Sequence, residues 1–323
     1  MMLTKTSIKY QPAIICLMGT TASGKTELAI TLSKNFSVDI VSVDSALVYR
    51  EMNIGTAKPT VEELIIAPHQ LIDICDPCEF YSVSDFCHDA YCAIKRITCV
   101  NRIPLLVGGS MLYFKALLEG LSFLPPKNDI VRKNIMCDAK LLGWMTLYNK
   151  LKEIDPIAAS KIHYNDHKRL LRALEVFYVS KKTLTELTMV STQNLLVDYS
   201  IYLFAIPPVD RMILHKRIEN RFYYMLEIGF EEEVRKLFSR VDLHRDSPSI
   251  SCIGYRQMWL YLSDQINYHE MIFRCICATR QLARHQITWL RKWSNIYWLD
   301  SKSNIYGWVD EINRVVNLDR VVI

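Results

Sequence analysis

Residues 13–26 read AIICLMGTTASGKT, and this stretch decides the fold. A short apolar run, Ala13–Met18, is stopped by glycine, which is the pattern of a buried strand. The segment from 24 to 34 reads as the helix that follows. Between them, Gly19, Thr20, Thr21, Ala22, Ser23, Gly24, Lys25 and Thr26 fit G-x-x-x-x-G-K-[ST] in the strand–loop–helix context the motif needs. The glycines let backbone N–H groups turn inward as an anion nest. The helix N-terminus adds the positive end of a dipole. Lys25 brings a mobile positive charge, and the Thr26 hydroxyl can ligate Mg²⁺. The stretch is therefore a phosphate-binding P-loop, with a chance glycine loop as the bland alternative.

Working outward, the same strand-then-helix rhythm continues. Apolar runs at 39–43 and 103–107 read as buried strands, the first ending at Asp44 and the second at Gly108-Gly109. Ser82 and Asp85 form a capping-box pattern, so 82–100 reads as a helix, as does 111–118. This spacing predicts a parallel sheet with helical crossovers. Pro125-Pro126 breaks it, and the chain to 199 looks helical. Within that stretch, 166–180 is amphipathic, with Leu170, Leu171, Leu174 and Phe177 inward and Lys168, Arg169 and Arg172 outside. Residues 202–206 and 296–299 return as strands. The expected fold is α/β: a P-loop NTPase-like parallel sheet core, 1–124 with 200–323, interrupted by an all-helical insertion domain, 125–199.

Composition narrows the class. Half of the 323 residues are apolar, enough for a sizeable core, and no apolar run approaches the roughly 20 residues of a membrane span. The run at 13–18 follows Lys5 and Lys9 but leads into the glycine loop instead of a cleavage site, so it is not read as a secretory signal. The ten cysteines show no metal or disulfide framework. Cys75-x-x-Cys78 and His163-x-x-x-His167 are too far apart for a zinc finger, and the thiols read as those of a reducing cytosol. Charge is uneven. Residues 1–124 carry 10 basic and 12 acidic residues, 125–199 carry 12 and 8, and 200–323 carry 17 and 14. The basic balance of the later two thirds suits a polyanionic partner, although many proteins have basic faces without one.

Two further features carry chemistry. Asp44, at the end of a strand, reads as a helix cap, a metal ligand or a general base; position alone leaves all three open. Arg280, Arg284 and Arg291 fall within about 40° on one helix face, interleaved with His285, Gln286, Trp289 and Trp293. Arginine with aromatics suits phosphate contact and base stacking, whereas the alternative is a solvated face over core tryptophans.

Together these pieces resemble bacterial tRNA dimethylallyltransferase, also called tRNA isopentenyltransferase. The matching text runs in the family's order: MGTTASGKTELA at 18–29, VSVDSALVYREMNIGTAKPT at 41–60, APHQLIDICDP at 67–77 and RIPLLVGGSMLYFKALLEGLS at 102–122. It continues with DHKRLLRALEVF at 166–177, HKRIENRF at 215–222, SCIGYRQMW at 251–259 and ATRQLARHQITWLRKW at 278–293. The resemblance implies transfer of a dimethylallyl group from its diphosphate to N6 of the adenosine just 3′ of the anticodon. It implies Asp44 as general base, and Lys25, Thr26 with Mg²⁺, and Arg221 as stabilisers of the departing diphosphate. Ser110 would hydrogen-bond the bridging oxygen. Contacts to tRNA are implied for Asp44, Ser45, Ala46 and Leu47; for Lys168, Arg169, Leu170, Leu171 and Arg172; and for Ser251, Cys252, Ile253, Gly254, Tyr255 and Arg256. The last segment is Arg284, His285, Gln286, Ile287, Thr288, Trp289, Leu290 and Arg291, with Ser110 and Arg132 as single contacts.

Thr20 stands where the family usually has proline, which loosens the loop slightly. Ser110 stands where threonine is common, and the hydroxyl is kept. The zinc-finger extension of eukaryotic relatives is absent from the sequence, which fits the bacterial type. A cytoplasmic monomer without membrane contact is expected. Two rival readings remain: a P-loop kinase of a small molecule or nucleoside, which leaves the basic later segments unexplained, and a non-catalytic RNA-binding protein, which leaves the P-loop and Asp44 unexplained.

Overall fold

A computed structural model of the chain describes residues 11–122, 124–189 and 195–318. The chain divides into two compact units, one formed by 1–118 with 196–323 and one by 119–195. The first half of the larger unit is β1 (Ala13–Met18), α1 (Lys25–Asn35), β2 (Val38–Val43), α2 (Val61–Ile66), β3 (His69–Gln70), α3 (Val83–Cys99), β4 (Ile103–Gly108) and α4 (Met111–Glu119). The smaller unit holds α5 (Asp129–Leu142), α6 (Trp144–Ile154), α7 (Pro156–Lys161), α8 (His167–Ser180) and α9 (Leu184–Met189). The chain then returns with β5 (Ser200–Ala205), α10 (Arg211–Glu227), α11 (Phe230–Phe238), α12 (Tyr255–Leu262), α13 (Tyr268–Leu290), β6 (Tyr297–Trp298) and α14 (Ile305–Val316).

The six strands form one sheet in the order β3-β2-β4-β1-β5-β6, every neighbouring pair parallel. Parallel strands covered on both faces read as continuous apolar runs, and β1 and β4 are buried nearly end to end. One face packs on α1 and α14 through Leu28, Leu32, Val309 and Ile312 against Ile15, Leu17, Ile40 and Leu105. A second core gathers Val48, Tyr49 and Met52 with side chains of α10 to α13. The smaller unit has its own core, built from Ile135, Leu147, Leu151, Leu170 and Leu174.

Helix starts follow local chemistry. The Ser82–Asp85 capping box is formed in both directions. Asp210 accepts from the N–H groups of Met212 and Ile213, and Asn267 accepts from Glu270, opening α10 and α13. Gly24 precedes α1 at φ 92°, a left-handed conformation that glycine adopts without strain.

The elements depart from the sequence reading at several points. The strand expected at 202–206 begins at Ser200, because Ser200 N–H reaches the Pro12 carbonyl and pairing starts opposite Ala13. The two-residue β3 had no apolar signal to announce it. On α8, Leu170 and Leu174 are buried as expected, but Leu171 and Phe177 are only half-buried; Glu175 and Val176 turn inward too. The helical unit begins at 119 and ends at 195, against the expected 125 and 199. All ten cysteines are free thiols.

Candidate active site

Parallel strands deliver their carboxyl ends to one rim, where open α/β sheets place their ligands. Met18 and Val43 both pair with Gly108. The loops after β1, β2 and β4 therefore begin side by side. They are the P-loop, the Asp44–Leu47 turn, and the Gly109-Ser110 step. A cleft of about 980 Å³ opens over them, lined by residues 21–26, Asp44 to Leu47, Ser110 and Arg221. Its apolar wall includes Tyr113, Phe222, Met225 and Phe230, and α13 adds Leu282, His285, Gln286 and Trp289.

Each loop is fixed by named bonds. Lys25 Nζ folds back and donates to the Thr20 carbonyl. Arg221 Nη1 donates to Thr21 Oγ1 at 3.3 Å, and Thr21 N–H donates to Gln286 Oε1 at 2.8 Å. Asp44 Oδ1 accepts from Ala46 N–H at 2.8 Å, which closes an Asx turn. No helix follows Asp44, so the cap reading gives way to a turn, and Asp44 lines the cleft. Ser45 N–H donates to Ser110 Oγ at 3.2 Å. With its oxygen accepting there, the Ser110 hydroxyl keeps its proton to donate elsewhere.

The electrostatics centre on Asp44. Burial lowers the Lys25 ammonium to about 8, against the pull of the Asp44 carboxylate, and the Arg221 charge adds to the depression. Burial likewise disfavours the Arg221 charge, and Asp44 opposes that too. The Cys252 thiol is pushed up to about 12, first by burial and then by Asp44. One carboxylate thus faces two cations in a partly desolvated cleft. The Thr26 hydroxyl and Asp44 offer oxygen donors, and Ser23 Oγ and Ser42 Oγ on the wall are buried without hydrogen-bond partners. An all-oxygen set of this kind fits a hard cation such as Mg²⁺.

The other expected contact segments divide between surface and core. Ser251, Cys252, Ile253 and Gly254 line the cleft, and Arg256 is exposed, but Tyr255 is wholly buried with its hydroxyl on Glu233. On α13, Arg284, His285 and Thr288 are exposed, Ile287 packs beside Leu214 and Ile218, and Leu290 is core. Arg291 caps the helix and is exposed. Arg280, on the same helix face, is half-buried and 3.7 Å from Glu219, and so is less open to a partner than Arg284. In the helical unit, Lys168 and Arg169 are exposed and Leu170 is core. Arg132 and Arg172 both bond Glu175 there, whose side chain is fully buried.

Two residues escaped sequence reasoning. Glu175 sits in the buried phase of α8, and a carboxylate at that phase was its only signal. Glu233 lies in an acidic triplet that reads as a solvated first turn. Its carboxylate accepts from the N–H groups of Asn53, Ile54 and Gly55 and from Tyr255 OH. It thereby holds the turn whose residues Gly55 to Pro59 line the cleft.

A P-loop sequence that shares a cleft with a carboxylate and an apolar wall suits an enzyme that transfers an apolar group from a phosphate ester. Comparison with known proteins narrows the class. The family described as IPP transferase matches residues 47–293, and the one described as isopentenyl transferase matches 12–70. The structure resembles that of a tRNA isopentenylpyrophosphate transferase from Bacillus halodurans, with 32% identity, TM-score 0.70, and 96% of this chain and 98% of that one covered. A tRNA delta(2)-isopentenylpyrophosphate transferase from Staphylococcus epidermidis matches at 32% identity and TM-score 0.68, covering 95% and 99%. A eukaryotic dimethylallyltransferase acting on tRNA matches at 25% identity and TM-score 0.78, covering 95% of this chain and 79% of that one. The chain belongs to the IPP transferase family. That membership favours prenyl transfer over the kinase reading. Among the described residues, no helix is long and apolar enough to cross a membrane.

Proposed function

We propose that the chain is a cytoplasmic tRNA dimethylallyltransferase, moving the prenyl group of dimethylallyl diphosphate to N6 of the adenosine immediately 3′ of the anticodon. The observation that carries this reading is the meeting of the P-loop, Asp44 and Ser110 in one cleft with an apolar wall. The adenine amine is a poor nucleophile because its lone pair is delocalised into the ring. Asp44 takes the N6 proton as the nitrogen bonds to the allylic carbon. The C–O bond to the diphosphate breaks in the same event. Lys25, Arg221 and the P-loop N–H groups stabilise the charge arriving on the leaving oxygens, and Ser110 donates to the bridging oxygen. Mg²⁺ held through Thr26 would neutralise part of that charge. The products are N6-(dimethylallyl)adenosine and diphosphate.

The target base must leave the anticodon stack to enter the cleft. The exposed cations Arg284, Arg291, Arg256, Lys168 and Arg169 suit contacts to the tRNA backbone. The larger unit, 1–118 with 196–323, would carry the chemistry, and the helical unit, 119–195, further tRNA contacts. The direct test incubates the protein with bulk tRNA, Mg²⁺ and labelled dimethylallyl diphosphate, without ATP. Label at the adenosine 3′ of the anticodon is expected; transfer only with ATP, or no transfer, overturns the reading.

A further inference from the structure

Gln286 lies in a segment that exposes several of its polar and charged side chains. Arg284, His285 and Thr288 are exposed, yet Gln286 is only 7% exposed. Its amide bridges two loops at the sheet rim. Oε1 accepts from Thr21 N–H at 2.8 Å, and Nε2 donates to the Gly109 carbonyl at 3.0 Å. The partners fix the orientation of the amide, since one is a donor and the other an acceptor. Gly109 is matched to this contact, because a Cβ there would lie 2.4 Å from Nε2. Thr21 belongs to the P-loop and also receives Arg221, while Gly109 precedes Ser110. One amide therefore ties the diphosphate-binding loop to the loop carrying the bridging-oxygen donor.

We infer that Gln286 is a positioning residue for the donor diphosphate, although it sits within the segment that faces RNA. Thr21 N–H is turned to Gln286, so the course of the P-loop is set by α13 as well as by its own glycines. Loss of the amide leaves a partly buried N–H and a carbonyl unpaired, which the loop relieves by moving away from its diphosphate-binding shape. The side chain points away from the exposed face, so RNA contact passes to Arg284 and His285. The inference rests on the prenyl-transfer reading for the identity of the donor.

The test is Gln286→Met, close in length and without polar atoms. We expect the KM for dimethylallyl diphosphate and the Kd for magnesium diphosphate to rise at least about tenfold, since one buried hydrogen bond is worth about that factor and the substitution removes two. We expect kcat to change by less than about threefold and the tRNA Kd by less than about twofold. Gln286→Glu keeps an acceptor for Thr21 but sets a carboxylate against the Gly109 carbonyl, and weakens diphosphate further. Unchanged diphosphate affinity in Gln286→Met overturns the inference, as does a raised tRNA Kd with donor binding intact. Wild-type protein that binds no magnesium diphosphate overturns the prenyl-transfer reading itself. If Gln286→Met melts well below the wild type, Gly109→Ala carries the same measurements, since it displaces the amide from the other side.

Discussion

Asp44 is held by one oxygen, and the proposed proton transfer calls on the other. Its Oδ1 closes the Asx turn to Ala46, a bond that asparagine keeps. Asp44→Asn should therefore preserve the turn and both substrates' binding while removing the proton acceptor. General-base assistance is worth roughly 10²–10⁴ in rate. A loss of that size is expected in single-turnover measurements at saturating tRNA and donor; a near-normal rate would place the base elsewhere. Weaker donor binding in Mg²⁺ would instead mark Asp44 as a metal ligand. Lys25 gives a second readout. Its ammonium is lowered to about 8, and in the proposed mechanism it must be charged to hold diphosphate. Diphosphate affinity should be full below that pH and fall as pH rises through about 8. Calorimetric titration from pH 6.5 to 9.5 checks this, and a flat profile would mean that Lys25 carries little of the affinity. The P-loop was legible because its chemistry is local. The Thr21–Gln286 bond was not, because 265 residues separate its partners.

At the scale of elements, helix faces are read from periodicity, and periodicity is blind to what stands opposite. On the arginine face of α13, Arg280 is half-buried and 3.7 Å from Glu219 on α10. Arg284 and Arg291 are exposed and have no ion-pair partner among the described residues. Arg284→Ala should weaken tRNA binding, leave donor binding unchanged and reduce the salt slope of tRNA affinity by about one. An unchanged slope and affinity would make this a merely solvated face. α8 shows the converse, a carboxylate where the pattern asked for an apolar residue. Burial alone would raise the Glu175 pKa, but hydrogen bonds from Arg132, Asn128 N–H and Arg172 prevail and hold it at about 2. A depressed carboxylate stabilises above its unfolded pKa, and that stability is lost as pH falls. The helical unit should lose stability between about pH 4.5 and 2, and Glu175→Gln should flatten that dependence. Circular dichroism melts across this range would check it; equal slopes would mean the carboxylate is not coupled to folding.

Across the whole molecule, the parallel sheet was legible wherever strands were buried on both faces, as at β1, β2 and β4. Strand order was not, since nothing in a strand's own residues names its neighbour. That order has a consequence for synthesis. β1 lies between β4 and β5, pairing residues 13–18 with 200–205. A growing chain completes β1, β2 and β4 long before β5 leaves the ribosome, and the helical unit emerges in between. Until then one side of β1 is an open edge of backbone donors and acceptors on an apolar strand, the kind of edge that pairs with other chains. The helical unit, with a core of its own, can fold during that wait without closing the gap. A nascent chain halted at residue 195 should therefore aggregate, and supplying 196–323 in trans should recover soluble material. Sedimentation of the two preparations tests this, and a soluble, monodisperse 1–195 fragment would show that the nascent edge is protected by other means.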